Sequence, residues 1–484
     1  MLLTGTYAYK IKKPVKFPFL DFTTLERRKK FCDEELRLNC RLAPALYLDV
    51  VPIGGTVENP RIGRLPAIEY AVKMRQFPTA AQLDRKLATS TVTPGDFRAF
   101  AEALADFHAH LEPAPSSTRL GNAAVVIQTA LGNLRELEAA TDHDRDLFAA
   151  IDDWTEAQCA RLQDVFARRK AAGTIRECHG DLHLGNLVHL DGRIVAFDAL
   201  EFEPELRWTD VISEAAFLFM DLTAHGRSDL AHEFLSRYLE CSGDYAGFEV
   251  LPFYLVYRAL VRAKVAALRE RQSHSTANRG SYLHLAMQLT ARRGAPLLVI
   301  THGLSGSGKS TVAAALIGSL PAVRIRSDLE RKRLFGLSAD ADTRSGVASG
   351  IYDANASART YAVLGEYARL GIEAGFDMII DAAFLRRSER AAFAALAAHS
   401  GARFVVLDCQ CSEAALRDRI ARRTAAHTDP SEATANVLDH QLDHAEALTA
   451  DERPNVISVL TDGPVDPSDL TRHLRATLRA VGAS

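Results

Sequence analysis

The 484-residue sequence predicts an α+β domain over residues 1–290 followed by an α/β domain over residues 296–484, the latter built on a doubly wound parallel sheet. Three observations carry this reading. Up to about residue 75, short strand-like runs alternate in hydropathy around a single helix, the pattern of a small antiparallel sheet lobe. From Thr93 to about residue 290 the pattern is that of a helical lobe, interrupted once by HGDLHLGN and a short apolar strand. Beyond the break RRGAP at 292–296, short apolar strands alternate with helices, which implies a parallel sheet covered on both faces.

In chain order, YAYKIKKPV alternates as a strand, with Lys10 and Lys12 on one face and Tyr9 and Ile11 on the other. A helix is predicted from Thr23 to about Leu42, capped by Thr23 or Thr24 and limited by Pro44. LYLDVVPI and LPAIEYAVKM read as strands joined by a turn around Gly54 and Gly55. TIREC leads into HGDLHLGN, and IVAFD follows as an apolar strand. The clusters AAFLFM and FYLVY within 211–290 suit a buried helical bundle. In the second domain the strands are LLVITHG, VRIRSD, DMIIDAAF, FVVLDC and NVISVL, and helices start at Lys309, near Ala358 and after Ser388.

Composition bounds the function. With 47% hydrophobic and 25% charged residues the whole chain is expected to fold. A net charge of −3 offers no concentrated basic face, so no nucleic-acid or membrane partner is expected. The seven cysteines are scattered, and Cys409 and Cys411 lack a matching second pair, so neither a disulfide framework nor a zinc site is indicated. The start lacks a charged region followed by an apolar run, and no long apolar stretch occurs, which points to a reducing, cytoplasmic compartment.

GLSGSGKST at 303–311 satisfies GxxxxGK[ST] directly after an apolar strand and directly before a helix, the context the motif requires. Gly303, Gly306 and Gly308 let the backbone of Ser305, Ser307 and Thr311 curl around a β-phosphate, and the helix N-terminus adds partial positive charge. Lys309 reaches the β/γ oxygens and Ser310 binds magnesium, so ATP and Mg2+ are the expected cofactors. In RSDLERKRLFG, Asp328 is placed to orient or deprotonate an acceptor hydroxyl, and Arg331 to bind an anionic substrate or phosphoryl group. Asp381 ends the strand MII, where a carboxylate holds magnesium through water. Arg419 and Arg423 lie four apart on one helical face, ahead of TAAHTDPSEAT, a candidate mobile lid. Plainer readings stand beside these: a helix cap for Asp328, a strand-end cap for Asp381 and a solvated face for the two arginines.

This part resembles small-molecule and polynucleotide kinases of the P-loop class, including zeta-toxin-like and gluconate-kinase-like proteins, over about residues 296–484. The resemblance implies that Asp328 activates the acceptor and that Arg419 and Arg423 steady the transferred phosphoryl group.

In HGDLHLGN, His179, Asp181 and Asn186 fit HxDxxxxN, and Asp198 follows at the end of IVAFD. Phosphoryl transfer needs a carboxylate to accept the hydroxyl proton, and an amide with a second carboxylate to hold magnesium. The stretch resembles the catalytic loop of aminoglycoside phosphotransferases and related protein-kinase-like enzymes. That resemblance implies Asp181 as base, Asn186 and Asp198 as metal ligands, and His179 as a brace. It also implies Lys10 as the strand lysine that binds α/β-phosphates, paired with Glu35 or, as runner-up, Glu34, and Asp210 as a support of the catalytic loop. Relatives place two strands and a covering loop ahead of that lysine, and here nine residues precede Lys10, so the front of the small lobe is expected to be truncated. The acidic run EFEPE at 201–205 is a candidate lining for a polycationic acceptor.

Together the motifs resemble bacterial two-domain fusions of an aminoglycoside phosphotransferase-like domain with a P-loop ATP-binding domain. The implied function is ATP-dependent phosphorylation of a hydroxyl on a small molecule. Two alternatives remain open: a nucleotide-dependent regulator in which a degenerate kinase-like domain gates a P-loop ATPase, and a polynucleotide kinase, which the overall charge disfavours.

Overall fold

A computed structural model of the protein describes residues 1–17, 20–89, 91–139, 145–273, 279–291, 294–339, 341, 343, 349–426 and 434–481. They form two compact units, one of Met1–Arg227 with Val250–Thr290 and the other of Ser228–Glu249 with Ala291–Ser484.

The first unit opens with an antiparallel five-stranded sheet in the order Leu2–Leu3, Tyr7–Ile11, Ala67–Arg75, Tyr47–Gly55, Pro60–Ile62. The helix Leu25–Asn39 is capped by Thr24, whose hydroxyl accepts the Arg27 N–H at 3.3 Å, and buries Cys32, Glu35 and Leu38. Cys32 joins Ala8, Tyr47, Val72 and Met74 in one apolar core. The turn between the long strands is not at Gly54 and Gly55, because the strand runs through both and Pro60–Ile62 returns alongside it. A Cβ at Gly54 would stand 2.3 Å from the Arg64 carbonyl oxygen, so glycine is required for backbones to pass that closely.

The helical part comprises Pro94–His110, Ala123–Glu138, Arg145–Ala171, Val211–Ala224, Leu251–Ser273 and Arg279–Thr290. A capping box of Thr93 and Asp96 starts the first of these. Two small antiparallel ribbons, Leu187–Leu190 with Arg193–Ala196 and Ile175–Glu177 with Trp208–Asp210, carry residues 178–186 and Asp198 in their connections. Helix Val211–Ala224 is buried from Val211 through Leu222, including the carboxylates of Glu214 and Asp221.

The second unit is a parallel five-stranded sheet in the order Ala322–Arg326, Asp377–Asp381, Leu297–His302, Arg403–Gln410, Val456–Leu460. Its central strands Leu297–His302 and Asp377–Asp381 carry continuous apolar runs, as burial on both faces requires, and Val299, Ile379, Leu407 and Ile457 share a core with Val312 and Leu316 of the helix Lys309–Ile317. The edge strand Ala322–Arg326 is covered by the helix Ser228–Ser242, where the Arg324 N–H donates to Ser236 Oγ at 3.0 Å. Covering an edge removes its tendency to pair with another chain. Residues 427–433 of the expected lid lie outside the described residues. Among the described residues, no helix is long and apolar enough to cross a membrane.

Candidate active sites

In the first unit the catalytic-loop candidate is shaped by Gly180. Its φ of 86° is one that side-chain-bearing residues rarely adopt, and a Cβ there would meet Arg207 at 3.0 Å. His179 is fully buried, and burial lowers its pKa, keeping the ring neutral. Nε2 is 3.0 Å from the Phe197 carbonyl oxygen, and Nδ1 accepts the Asp181 N–H at 3.4 Å, so the ring bridges the two ends of the loop. The Asn186 amide donates to Asp181 Oδ2 at 2.9 Å and to its carbonyl oxygen at 3.0 Å. Burial raises the Asp181 carboxyl, but His183, His179 and Arg262 outweigh it and hold the group well below the usual carboxylate range. It is therefore an anion at neutral pH.

Asp198 has a φ of 64°, a left-handed conformation that costs a non-glycine residue energy and clusters at functional sites. The Tyr47 hydroxyl accepts its N–H at 3.0 Å, and its carboxylate, 43% exposed, pairs with Lys10. Lys10 Nζ also meets Glu35 Oε1 at 2.8 Å, while Glu35 Oε2 takes Lys12 Nζ at 2.7 Å. Burial lowers the Lys10 pKa, but Asp198 and Glu35 more than compensate and raise it well above its ordinary value. The Lys12 side chain is 3% exposed and also pairs with Glu201, whereas Lys10 is 27% exposed. Glu34 is directed elsewhere, to Arg37 and Arg207 at 2.7 Å each.

Two expectations are corrected here. The acids of EFEPE do not form an acceptor lining: Glu201 is buried on Lys12, Glu205 pairs with Arg119 at 2.7 Å, and Glu203 caps the short helix Pro204–Arg207. Asp210 does not hold the catalytic loop. It forms a two-pronged pair with Arg169, at 2.6 and 2.7 Å, and caps the helix Val211–Ala224. The loop is held instead by Glu214, which accepts the His179 N–H, and by Asp221, which accepts the Leu184 N–H at 2.9 Å. Their signal in the sequence is two acids seven residues apart in an otherwise apolar helix.

In the second unit Gly303, Gly306 and Gly308 have φ of 140°, 83° and 82°, and Gly308 starts the helix Lys309–Ile317. The Lys309 ammonium donates to the Gly303 and Leu304 carbonyls at 2.9 and 2.7 Å, and burial lowers its pKa. Ser310 Oγ donates to Asp381 Oδ1 at 3.1 Å. Among the described residues, Asp381 Oδ2 is buried and accepts no hydrogen bond, with Arg326 Nε 3.8 Å away. Burial raises this carboxyl, against Arg324 and Arg326. A hydroxyl beside a buried oxygen lacking a donor is a donor set that fits a hard divalent cation.

Lys309, Ser310 and Asp381 line a cavity of about 660 Å³ together with Ser305, Thr311, Asp328 and Arg331. Asp328 lies in the first turn of the helix Ser327–Leu334, and no hydrogen bond from the described residues engages its carboxylate. Arg331 is buried; it donates to the Ile351 carbonyl at 2.9 Å and lies over the Tyr352 ring at 4.9 Å, and among the described residues its Nε has no hydrogen-bond partner. Arg419 and Arg423 both line the cavity. Arg419 donates to the Gly306 carbonyl at 3.2 Å and to the Thr461 carbonyl, bracing the loop. Sequence reading missed Gln441, whose amide oxygen accepts the Ser305 N–H at 2.8 Å, and Tyr361, whose hydroxyl accepts the Phe384 N–H at 3.1 Å.

The folds and motifs define a kinase-type phosphotransferase built from a protein-kinase-like domain and a P-loop domain. The sequence model of the phosphotransferase enzyme family matches residues 63–251, and that of an AAA domain matches residues 298–448. Over 445 residues, 90% of this chain and 87% of theirs, the sequence is 32% identical to the uncharacterized proteins Rv2004c of Mycobacterium tuberculosis and Mb2027c of Mycobacterium bovis. The chain belongs to one family with these proteins, a phosphotransferase-family domain followed by a P-loop kinase-like domain. Similar solved structures include a sugar kinase from Janibacter sp. HTCC2649, at 20% identity over 38% of this chain and 95% of that chain, with a TM-score of 0.30. A second is a thermostable mutant of aminoglycoside phosphotransferase APH(4)-Ia, at 13% identity over 54% of this chain and 83% of that chain, with a TM-score of 0.35.

Proposed function

We propose that the chain transfers phosphate from Mg-ATP to a hydroxyl of a small molecule and has a nucleotide site in each of its two domains, 1–290 and 296–484. The observation that carries this is the cavity in which Lys309, Ser310 and Asp381 stand with Asp328 and Arg331. In this reading the N–H groups of residues 305–311 hold the triphosphate, and Lys309 exchanges its loop carbonyls for β/γ oxygens. Ser310 and Asp381 hold magnesium, which neutralises phosphate charge. Asp328 takes the acceptor's proton, Arg331 binds an anionic group on the acceptor, and Arg423 steadies the phosphoryl group while Arg419 braces the loop. In the first unit Asp181 is the base, Asn186 and Asp198 hold magnesium, and Lys10 with Glu35 binds the α/β-phosphates. Seven free cysteines suit a reducing, cytoplasmic setting.

The test is ATP consumption by the intact chain against a panel of hydroxylated metabolites and antibiotics, with Lys309→Ala and Asp198→Ala assigning each activity to a domain. Acceptor-dependent ADP release that one variant abolishes supports the reading. Turnover indifferent to every acceptor supports a regulator in which the first unit gates a P-loop ATPase, a reading favoured by the closure of Lys10 onto Asp198.

A further inference from the structure

Glu240 closes a chain of charges that ends at Asp381. It lies on the helix Ser228–Ser242 with its side chain 2% exposed. Its Oε1 stands 3.2 Å from Arg324 Nη2 and 3.8 Å from Arg326 Nε, and its Oε2 takes Arg237 Nη1 at 2.7 Å. On the far side Arg326 Nε is 3.8 Å from Asp381 Oδ2, and Arg324 Nη1 donates to the Ser310 carbonyl at 3.3 Å. Arg326 is therefore held between a carboxylate from this helix and the carboxylate that ends the strand Asp377–Asp381, and Arg324 spans from the same helix carboxylate to the Ser310 carbonyl, close enough for its charge to act on Asp381. Charges this close and this buried are weakly screened, so each arginine competes with any cation for Asp381. With Glu240 in place, that competition is divided between two acids.

We propose that Glu240 is a positioning residue of the P-loop site: by neutralising Arg324 and Arg326, it leaves Asp381 available to a divalent cation beside Ser310. This rests on the reading of Ser310 and Asp381 as cation ligands. It also means that the P-loop site is completed by a helix lying inside the stretch matched by the phosphotransferase family, residues 63–251. A cut at residue 290 would remove the acid that balances Arg324 and Arg326.

The experiment uses the full chain and a fluorescent ATP analogue, titrated with and without Mg2+. The P-loop component is the binding lost in Lys309→Ala. Glu240→Gln keeps the shape and removes the charge; the Mg2+ affinity of that component is expected to fall by about tenfold or more. Its affinity for Mg-free nucleotide should hold or tighten, since uncompensated arginines attract the triphosphate. Arg326→Gln should act in the opposite sense and tighten Mg2+. Unchanged Mg2+ affinity in Glu240→Gln, or equal weakening of Mg-bound and Mg-free nucleotide, overturns the proposal. If Glu240→Gln does not fold, Arg326→Gln decides, and unchanged or weaker Mg2+ affinity there overturns it. The underlying reading fails separately, when Lys309→Ala removes no nucleotide binding or Asp381→Ala leaves the Mg2+ dependence intact.

Discussion

Glu214 accepts the backbone N–H of His179 on both carboxylate oxygens, at 2.8 and 3.0 Å, and so ties the buried helix Val211–Ala224 to the start of the candidate catalytic loop. Glu214→Ala leaves that N–H unpaired in the interior, so a loss of about 1–3 kcal/mol is expected, read by urea denaturation. Burial raises this carboxyl, but His108, His179 and Cys178 bring it down to about 2. Its folded value lies below the unfolded value of about 4.3, so the stabilisation is complete above that pH and is lost as pH falls toward 2. Glu214→Gln should flatten the pH dependence of stability in that window. An unaltered acid limb would show that Glu214 is not the titrating group.

Lys10 and Lys12 share Glu35 but are expected to fail differently. Lys12→Ala leaves Glu201 buried without its lysine, and breaking such a pair costs about 3–5 kcal/mol. Lys10→Ala should cost less stability and more nucleotide, seen as a smaller thermal shift on adding Mg-ATP to a chain that already carries Lys309→Ala. Equal melting temperatures for the two lysine variants would contradict this division.

Asp181→Asn and Asp328→Asn each remove a candidate base while keeping its shape. Each should lower acceptor-dependent transfer in its own domain by about 10²–10⁴ and leave ATP affinity nearly intact. Transfer at the parental rate in either variant reduces that aspartate to a structural role.

Lys309→Ala should abolish most Mg-ATP binding by the second unit, because the ammonium neutralises phosphate charge that water otherwise solvates. Burial lowers the pKa of this lysine, and the anionic triphosphate favours its charged form. Binding is therefore strongest below the lowered value, weakens as pH rises through it, and is accompanied there by proton uptake. Calorimetry in buffers of different ionisation enthalpy would reveal the uptake, and its absence would mean that Lys309 is already fully charged.

The sequence by itself determined the two motifs, GxxxxGK[ST] and HxDxxxxN, the order of the two domain types and the two sheet types. The reason is locality: a phosphate-binding loop is made by glycines and backbone N–H groups within nine residues, and sheet class follows hydropathy period. HxDxxxxN is legible for the same reason, whereas pairing Lys10 with Glu35 or Glu34 came from the family resemblance, and the structure places Glu35 on Lys10. What the tertiary structure alone decided depends on partners far apart in the chain. Thr24 rather than Thr23 capping the first helix is a local choice, but the turn displaced from Gly54 was hidden because Arg64 passes it only in three dimensions. EFEPE reads as a candidate acceptor lining in the sequence, because Lys12, 189 residues before Glu201, meets it only in three dimensions. Asp210, Glu214 and Asp221 stand at the cap and along one otherwise apolar helix, and which of them holds the candidate catalytic loop is set by a helix rotation that brings two to the loop and leaves the third on Arg169. The assignment of residues 228–249 to the second unit has the same origin, since an unpaired strand edge can be covered by any segment of suitable shape, and hydropathy does not say which.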